Sequence, residues 1–213
     1  MYKTTDKCLS VTFQVENPNI EETKVYLEKN FDSIYTIRPH ITFSITPIPT
    51  RNLENAKKAI ENFLSDKKGF IVRLKGLAVD PKNRFFYLKV QNGGISKFHA
   101  DLVASLNKYR DGYIREKDVE RIEQGYYNPS QIQNIVDYGF PRVLDLYRPH
   151  ITLGNIPDVQ VDIEQVKSKL VEILSNSAEG NIHISDVFVH YFSDAINQSQ
   201  MEVIWDKKYR LQS

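Results

Sequence analysis

The 213-residue chain has the composition of a globular protein, with 41% hydrophobic and 26% charged residues. Its 28 basic and 27 acidic residues leave a formal net charge of +1, which argues against the broad basic face that duplex nucleic acid requires. A single cysteine, Cys8, excludes an intrachain disulfide framework and a cysteine-based zinc site. The polar N-terminus and the lack of a long apolar run predict a cytoplasmic protein with no membrane association.

The first part of the chain predicts two strands separated by a helix. Residues 8–15 alternate between apolar and polar side chains, which predicts a strand that stops at Asn17-Pro18. Asn19 is predicted to cap a helix that continues to about Asn30. Residues 35–48 are then predicted to be extended. Within this strand the alternation predicts one face with Arg38, His40, Thr42 and Ser44, and an opposite face with Ile37, Ile41, Phe43 and Ile45.

The remaining periodic segments predict further helices and strands. They are a helix over 50–65, a hairpin of 70–79 and 85–90, a helix over 95–109, a helix over 162–174, and two strands over 182–192 and 201–211. Residues 111–137 interrupt this order with two short predicted helices, 116–123 and 129–136. We treat 111–137 as an insertion, which serves either as a lid that selects substrates or as a peripheral buttress.

The most informative feature is a five-residue sequence, Arg-Pro-His-Ile-Thr, that occurs at 38–42 and again at 148–152. Each copy lies in a predicted strand and is followed by a helix, a strand, a turn and a strand. This repetition predicts a duplicated α+β fold with two pseudo-symmetric lobes, each an antiparallel-rich sheet with helices on its outer face, around a central groove. Because no linker-like segment separates the copies, we expect one domain over 1–213.

Each copy also supplies the groups that cleavage of a phosphate ester needs. Strand alternation places the imidazoles of His40 and His150 on the same faces as the hydroxyls of Thr42 and Thr152. Imidazole acts as acid or base near neutral pH, and in-line displacement at phosphorus requires one such group on each side. The hydroxyls are suited to donate hydrogen bonds to the non-bridging oxygens. This chemistry requires no metal and no cofactor.

The two His-x-Thr motifs resemble those of the two-histidine (2H) phosphoesterase superfamily, which includes 2′-5′ RNA ligase-like proteins and cyclic phosphodiesterases. The resemblance implies that His40 and His150 are the acid–base pair and that Thr42 and Thr152 bind phosphate oxygens. Residues 138–143, Tyr-Gly-Phe-Pro-Arg-Val, are similar to the subgroup associated with phosphonate metabolism. Pro149 departs from that subgroup, in which an aromatic residue is usual at this place.

Seven further residues are candidate substrate contacts. Arg38 and Arg148 alternate onto the histidine face, where they either hold a phosphate or a nucleobase or form surface ion pairs. His190 either faces the groove or is structural, and His99 is predicted to be structural. Four aromatic residues either stack on a base at the groove or belong to the core: Phe13, Tyr35, Tyr147 and Tyr191.

These residues predict a metal-independent phosphodiesterase that acts as a monomer on a nucleotide, an RNA terminus or another small phosphodiester. The expected bond is a 2′,3′-cyclic phosphate or a 2′-5′ linkage. One alternative is a module that binds an RNA end or a phosphorylated ligand without turning it over. Another is the same chemistry on cyclic oligonucleotide signals or on a phosphonate-pathway sugar phosphate.

Overall fold

The computed structural model describes residues 2–33, 38–91, 94–194 and 202–213. Its helices are α1 (Pro18–Phe31), α2 (Leu53–Leu64), α3 (Gly94–Arg110), α4 (Glu116–Glu123), α5 (Pro129–Tyr138) and α6 (Ile163–Leu174). Its strands are β1 (Thr4–Thr5), β2 (Lys7–Gln14), β3 (His40–Pro47), β4 (Phe70–Asp80), β5 (Phe85–Val90), β6 (Ile114–Arg115), β7 (His150–Asn155), β8 (Glu179–Ile184), β9 (Asp186–Ser193) and β10 (Glu202–Arg210). No helix in these ranges is long and apolar enough to cross a membrane.

Eight of the strands form one antiparallel sheet in the order β10-β9-β2-β3-β7-β5-β4-β8. The strands that carry the two His-x-Thr motifs, β3 and β7, are neighbours at its centre, where Ile41 pairs with Ile151. About this junction the order is symmetric, so that β2 corresponds to β5 and β9 corresponds to β4. The structure therefore confirms the predicted α+β class and its two pseudo-symmetric halves.

The four long helices pack against one face of the sheet, and the predicted groove would lie on the other face, which carries the motif residues. The apolar sides of α1, α2, α3 and α6 pack with the inward side chains of both halves in one buried cluster. The packing crosses between the halves, because α1 contacts β7 while α3 contacts β3. Ile41, Phe43, Ile151 and Leu153 are fully buried in this cluster, as their alternation with the motif residues predicts.

Helix α1 begins two residues earlier than predicted. The side chain of Asn17 accepts hydrogen bonds from the backbone N–H groups of Asn19 and Ile20, so Asn17 is the cap. Pro18 fits the first helical position because it has no N–H that would need a partner there. Asn19, the predicted cap, instead donates its side-chain amide to Ser177 and to the carbonyl of Leu174.

The C-terminal third differs from the prediction in one respect. Residues 182–192 do not form one strand, because the chain breaks at Ser185 between β8 and β9. Strand β8 pairs with β4 at one edge of the sheet, whereas β9 pairs with β2 in the other half. Strand β10 forms the opposite edge of the sheet. The pair β9 and β10 therefore extends the half that contains β2 and β3, while β8 extends the half that contains β4 and β5. The order of segments along the chain did not predict that β8 and β9 join different halves of the sheet.

The insertion has a small core of its own and is anchored by buried charges. Ile114, Tyr127 and Ile135 form a separate apolar cluster. Arg115 pairs with Asp118 through two hydrogen bonds of 2.6 and 2.8 Å, and it also contacts Asp194 at the end of β9. At the other side of the insertion, the ammonium of Lys82 in the β4–β5 turn lies 4.9 Å from the ring centroid of Tyr126. The insertion thus connects the ends of strands from both halves.

Candidate active site

The two motifs are brought together on the open face of the sheet. Because Ile41 and Ile151 are paired in antiparallel register, His40 lies beside Thr152 and His150 lies beside Thr42. The isoleucines point into the core, so these four side chains share the opposite face, where each is half-buried. A ligand centred between the strands would therefore meet one imidazole and one hydroxyl from each half.

Both imidazoles are held in the same orientation and tautomer. The Nδ1 atom of His40 lies 2.8 Å from the carbonyl oxygen of Arg38, and the Nδ1 atom of His150 lies 2.8 Å from that of Arg148. A carbonyl only accepts, so Nδ1 carries the proton in each ring. The local contact therefore occupies Nδ1 and leaves the Nε2 atom of each ring available to a substrate.

The surroundings favour the neutral form of both histidines. Burial lowers the pKa of His40 below its ordinary value, and the charges of His150 and His190 lower this pKa further, while the Arg38 carbonyl opposes the shift. Burial also lowers the pKa of His150, with a contribution from the positive charge of Arg142. The charge of His150 is among the causes that lower the pKa of His40, so protonation of His150 disfavours protonation of His40.

Each motif strand contains a β-bulge immediately after its threonine. In β3 the pairing with β2 passes from Thr42 to Ser44 and skips Phe43. In β7 the pairing with β5 passes from Thr152 to Gly154 and skips Leu153. A bulge changes which side the following residue faces. Ser44, predicted to lie on the histidine face, is consequently buried, and its Oγ has no hydrogen-bond partner among the described residues.

Tyr147 is a candidate for base stacking, but in the structure it contacts the backbone of the first motif from the buried side of the sheet. Its side chain is buried, and its hydroxyl donates to the backbone carbonyl of Thr42 at 2.8 Å. Its ring stacks on His99, with 3.8 Å between centroids and 3° between planes. His99 accepts a hydrogen bond from the N–H of Leu144 at Nε2 and donates from Nδ1 to the carbonyl of Phe43. Loop residues just before the second motif thus hold the first motif in place.

Two of the other aromatic candidates, Phe13 and Tyr191, are not available to a base. Phe13 pairs with Ile41 and, like it, points into the core. Tyr191 is 1% exposed, because the alternation of β9 directs it inward, where its hydroxyl donates to the carbonyl of Ile48. Tyr35 lies outside the described residues.

The predicted polar contacts have different positions. His190 is opposite Ser10 on the groove face, and its ring is stacked with that of Phe188. Burial lowers the pKa of His190. The guanidinium of Arg148 donates to the carbonyls of Asp145 and Tyr147. Arg38 is exposed and contributes its carbonyl to His40.

Several residues near the second motif were not predicted. Tyr87 and Lys89 on β5 are the partners of Thr152 and His150, and the Tyr87 ring meets the His150 ring edge to face with 5.6 Å between centroids. Arg142 follows α5, and its positive charge contributes to the lowered pKa of His150. The alternation of Phe86, Tyr87, Leu88 and Lys89 indicates which side chains share a face. It does not indicate that β5 pairs with β7, so the sequence did not connect them to His150.

No group of three or more His, Cys, Asp or Glu residues within the described ranges is placed to hold a metal ion. The arrangement offers two imidazole Nε2 atoms and two hydroxyls on adjacent strands. Such a set can donate and accept protons on either side of a bound phosphate group.

A family model matches residues 46–195, which is well over half of the chain, and its description is "Protein of unknown function (DUF1045)". The chain belongs to this family. No curated protein matches the DUF1045 chain at a significant level.

Solved structures share the fold at low sequence identity. E. coli LigT complexed with 3′-AMP is 11% identical with a TM-score of 0.55, and the alignment covers 98% of this chain and 100% of LigT. A structure described as a phosphoesterase is 11% identical, with a TM-score of 0.55 and coverage of 97% and 99%. A Thermus thermophilus protein is 13% identical, with a TM-score of 0.53 and coverage of 97% and 100%. These likenesses show that the chain shares its fold with E. coli LigT and with the other two structures.

Proposed function

We propose that this DUF1045 protein is a metal-independent phosphodiesterase that cleaves a nucleotide or RNA-terminal phosphodiester, either a 2′,3′-cyclic phosphate or a 2′-5′ linkage. The observation that carries the proposal is the pair of equivalent half-sites. His40 with Thr42 and His150 with Thr152 lie on adjacent strands, and the local contact of each ring uses Nδ1 and leaves Nε2 without a hydrogen bond to the described residues. The 3′-AMP bound to LigT, which shares the fold, supports a nucleotide as the ligand class.

The reaction follows from the two protonation states. One neutral imidazole accepts a proton from water as the water oxygen bonds to phosphorus. The other imidazole, protonated, donates to the ester oxygen as its bond to phosphorus breaks, which for a cyclic phosphate yields a monoester. The two threonine hydroxyls donate to the non-bridging oxygens, where negative charge increases in the transition state. Because the pKa of both rings is lowered, the state with one protonated and one neutral ring, and with it the highest activity, is predicted at a pH below the ordinary imidazole value of about 6.5.

We predict that His40→Ala and His150→Ala each reduce turnover by about 10²-fold or more, the usual contribution of one acid–base group. The measurement is hydrolysis of 2′,3′-cyclic mononucleotides and 2′-5′ dinucleotides in the presence of EDTA. Cyclic dinucleotides and sugar cyclic phosphates in the same panel test the alternative substrates. His183→Ala is the matched control, because His183 is exposed on the edge strand β8.

Two outcomes would contradict the proposal. Full activity in either histidine variant would exclude the acid–base pair. Saturable binding with no product from any member of the panel would indicate a binding module instead.

A further inference from the structure

The two sides of the groove carry different charge. Gln14 on β2 is the partner of His40, and Lys89 on β5 is the partner of His150. In the same way Thr12 is the partner of Thr42, while Tyr87 is the partner of Thr152. The half-sites are therefore equivalent in their histidines and threonines but not in the residues beside them. The side next to His150 has an ammonium group where the side next to His40 has a neutral amide.

Lys89 is placed to reach a ligand. It is exposed, and in the described part of the chain it forms no hydrogen bond or ion pair. Directly paired residues of an antiparallel ladder have their Cα atoms about 5 Å apart and their side chains on the same face. Its flexible stem can therefore bring the ammonium over the groove in front of His150.

Arg142 is the second cation, and it is close enough for its positive charge to contribute to the lowered pKa of His150. Its backbone is held firmly, because the side-chain amide of Asn134 donates to the carbonyls of both Pro141 and Val143 at 3.3 Å. Pro141 and Val143 are buried while Arg142 is exposed. The guanidinium has no hydrogen-bond or ion-pair partner among residues 2–33, 38–91, 94–194 and 202–213.

The carboxylate of Asp80 does not neutralise Arg142 by direct contact. The pKa of Asp80 is lowered, first by the hydrogen bond from the Asn83 side chain and to a smaller extent by the positive charge of Arg142. The oxygens of Asp80 accept hydrogen bonds from the backbone N–H groups of Lys82 and Asn83 and from the Asn83 side chain. The His150 side thus presents two cations that are not paired within the described part of the protein.

A phosphodiester carries one negative charge, and the two histidines and two hydroxyls already provide for it. Two further cations on one side indicate a second anionic group in the ligand. We propose that the substrate carries a second phosphate, one sugar away from the scissile phosphodiester, and that Lys89 and Arg142 bind this phosphate on the His150 side. This inference rests on the proposed function in placing the scissile group between His40 and His150. In a nucleotide the second phosphate is the 5′-phosphate, either as a terminal monoester or as the next diester of an oligonucleotide.

Binding is measured first, because it does not depend on turnover. Calorimetric titrations compare 3′-AMP with adenosine 3′,5′-bisphosphate, which differ only in the 5′-phosphate. We expect the bisphosphate to bind about tenfold more tightly or better, the effect of one charge-assisted contact. The Lys89→Ala/Arg142→Ala double variant should bring this ratio close to one. Lys58→Ala, which removes an exposed lysine on α2, is the control and should keep the wild-type ratio.

Equal binding of the two nucleotides, binding of neither, or an unchanged ratio in the double variant would overturn the inference. A turnover experiment then separates it from the proposed function. The substrates are adenosine 2′,3′-cyclic phosphate, its 5′-phosphorylated form, and a dinucleotide that ends in the same cyclic phosphate. Turnover of all three with equal kcat/KM overturns the second-phosphate site alone. A bisphosphate preference that depends on Lys89 and Arg142, without turnover of any substrate, overturns the phosphodiesterase proposal and leaves the second-phosphate site standing.

Discussion

Each residue of the repeated Arg-Pro-His-Ile-Thr sequence has a separate task. The arginine carbonyl accepts from the histidine ring, and the isoleucine packs in the core. The proline carbonyls accept backbone hydrogen bonds. Pro39 accepts from the N–H of Val15 at 2.9 Å, and Pro149 accepts from the N–H of Val90 at 3.2 Å. Because proline has a restricted φ, it limits how the preceding carbonyl can be oriented relative to the imidazole. The proline is therefore part of what selects the histidine tautomer.

Tyr147 is predicted to act on the reaction through the backbone of Thr42. Tyr147→Phe removes the hydroxyl that donates to this carbonyl and should lower stability by about 1 kcal/mol. We expect kcat to fall by about tenfold with little change in KM, because small displacements at a reacting centre are costly. Steady-state kinetics and urea unfolding measure the two effects.

Tyr191→Phe is the matched control for this variant. Its hydroxyl also donates to a backbone carbonyl, that of Ile48, but it does not contact either motif. It should lose comparable stability without the loss in kcat. If both variants lost kcat equally, the role of Tyr147 would be purely structural.

Arg142→Ala is predicted to move the pH dependence of the reaction upward. The positive charge of Arg142 disfavours protonated His150 and so lowers its pKa. Without that charge the pKa of His150 rises toward its ordinary value, and the limb of the kcat/KM profile that reports His150 shifts to higher pH. If the acidic limb moves, His150 is the base; if the alkaline limb moves, it is the acid. A shift to lower pH, or none beyond that of Lys58→Ala, contradicts the assignment.

At the scale of secondary-structure elements, the two bulges affect which side chains face the core, and buried charges attach the insertion to the sheet. The two bulges follow the threonines at equivalent positions, and in β3 the bulge turns Ser44 toward the core instead of toward the histidine face. The insertion is fastened by a charged cluster in which Asp118 is fully buried and receives hydrogen bonds from Arg115 and Tyr127. Such a cluster specifies one arrangement, because any other would leave a buried charge without its partner.

Asp118→Ala is therefore expected to destabilise the protein by about 3–5 kcal/mol, since it leaves the buried guanidinium of Arg115 with only part of its hydrogen bonding. Urea unfolding gives the change in free energy. Glu61→Ala, which breaks an exposed pair with Lys207, should cost no more than about 1 kcal/mol. Similar losses in the two variants would show that the buried cluster does not anchor the insertion.

Considered as a whole molecule, the fold and the four central site residues follow from the repeat and from alternation. The alternation of β3 and β7 places His40 and Thr42 opposite Ile41, and duplication requires the second copy to match. The alternation of apolar and polar residues does not predict which strands pair or in which register. The burial of Ser44 depends on a bulge, and the place of Lys89 depends on the pairing of β5 with β7. Tyr147 could not be distinguished from a groove tyrosine, because its partner His99 is distant in sequence and adjacent only in the folded protein.

The crossed packing of the helices has a consequence for the reaction centre. Helix α1 belongs to the first half but supports the strand of His150, and α3 belongs to the second half but supports the strand of His40. The separation of His40 and His150 is therefore set by the same apolar contacts that keep the protein folded. Neither half can be displaced relative to the other without exposing core to water, at about 25 cal/mol for each Å² of apolar surface. The spacing of the two histidines is in this sense as stable as the fold itself.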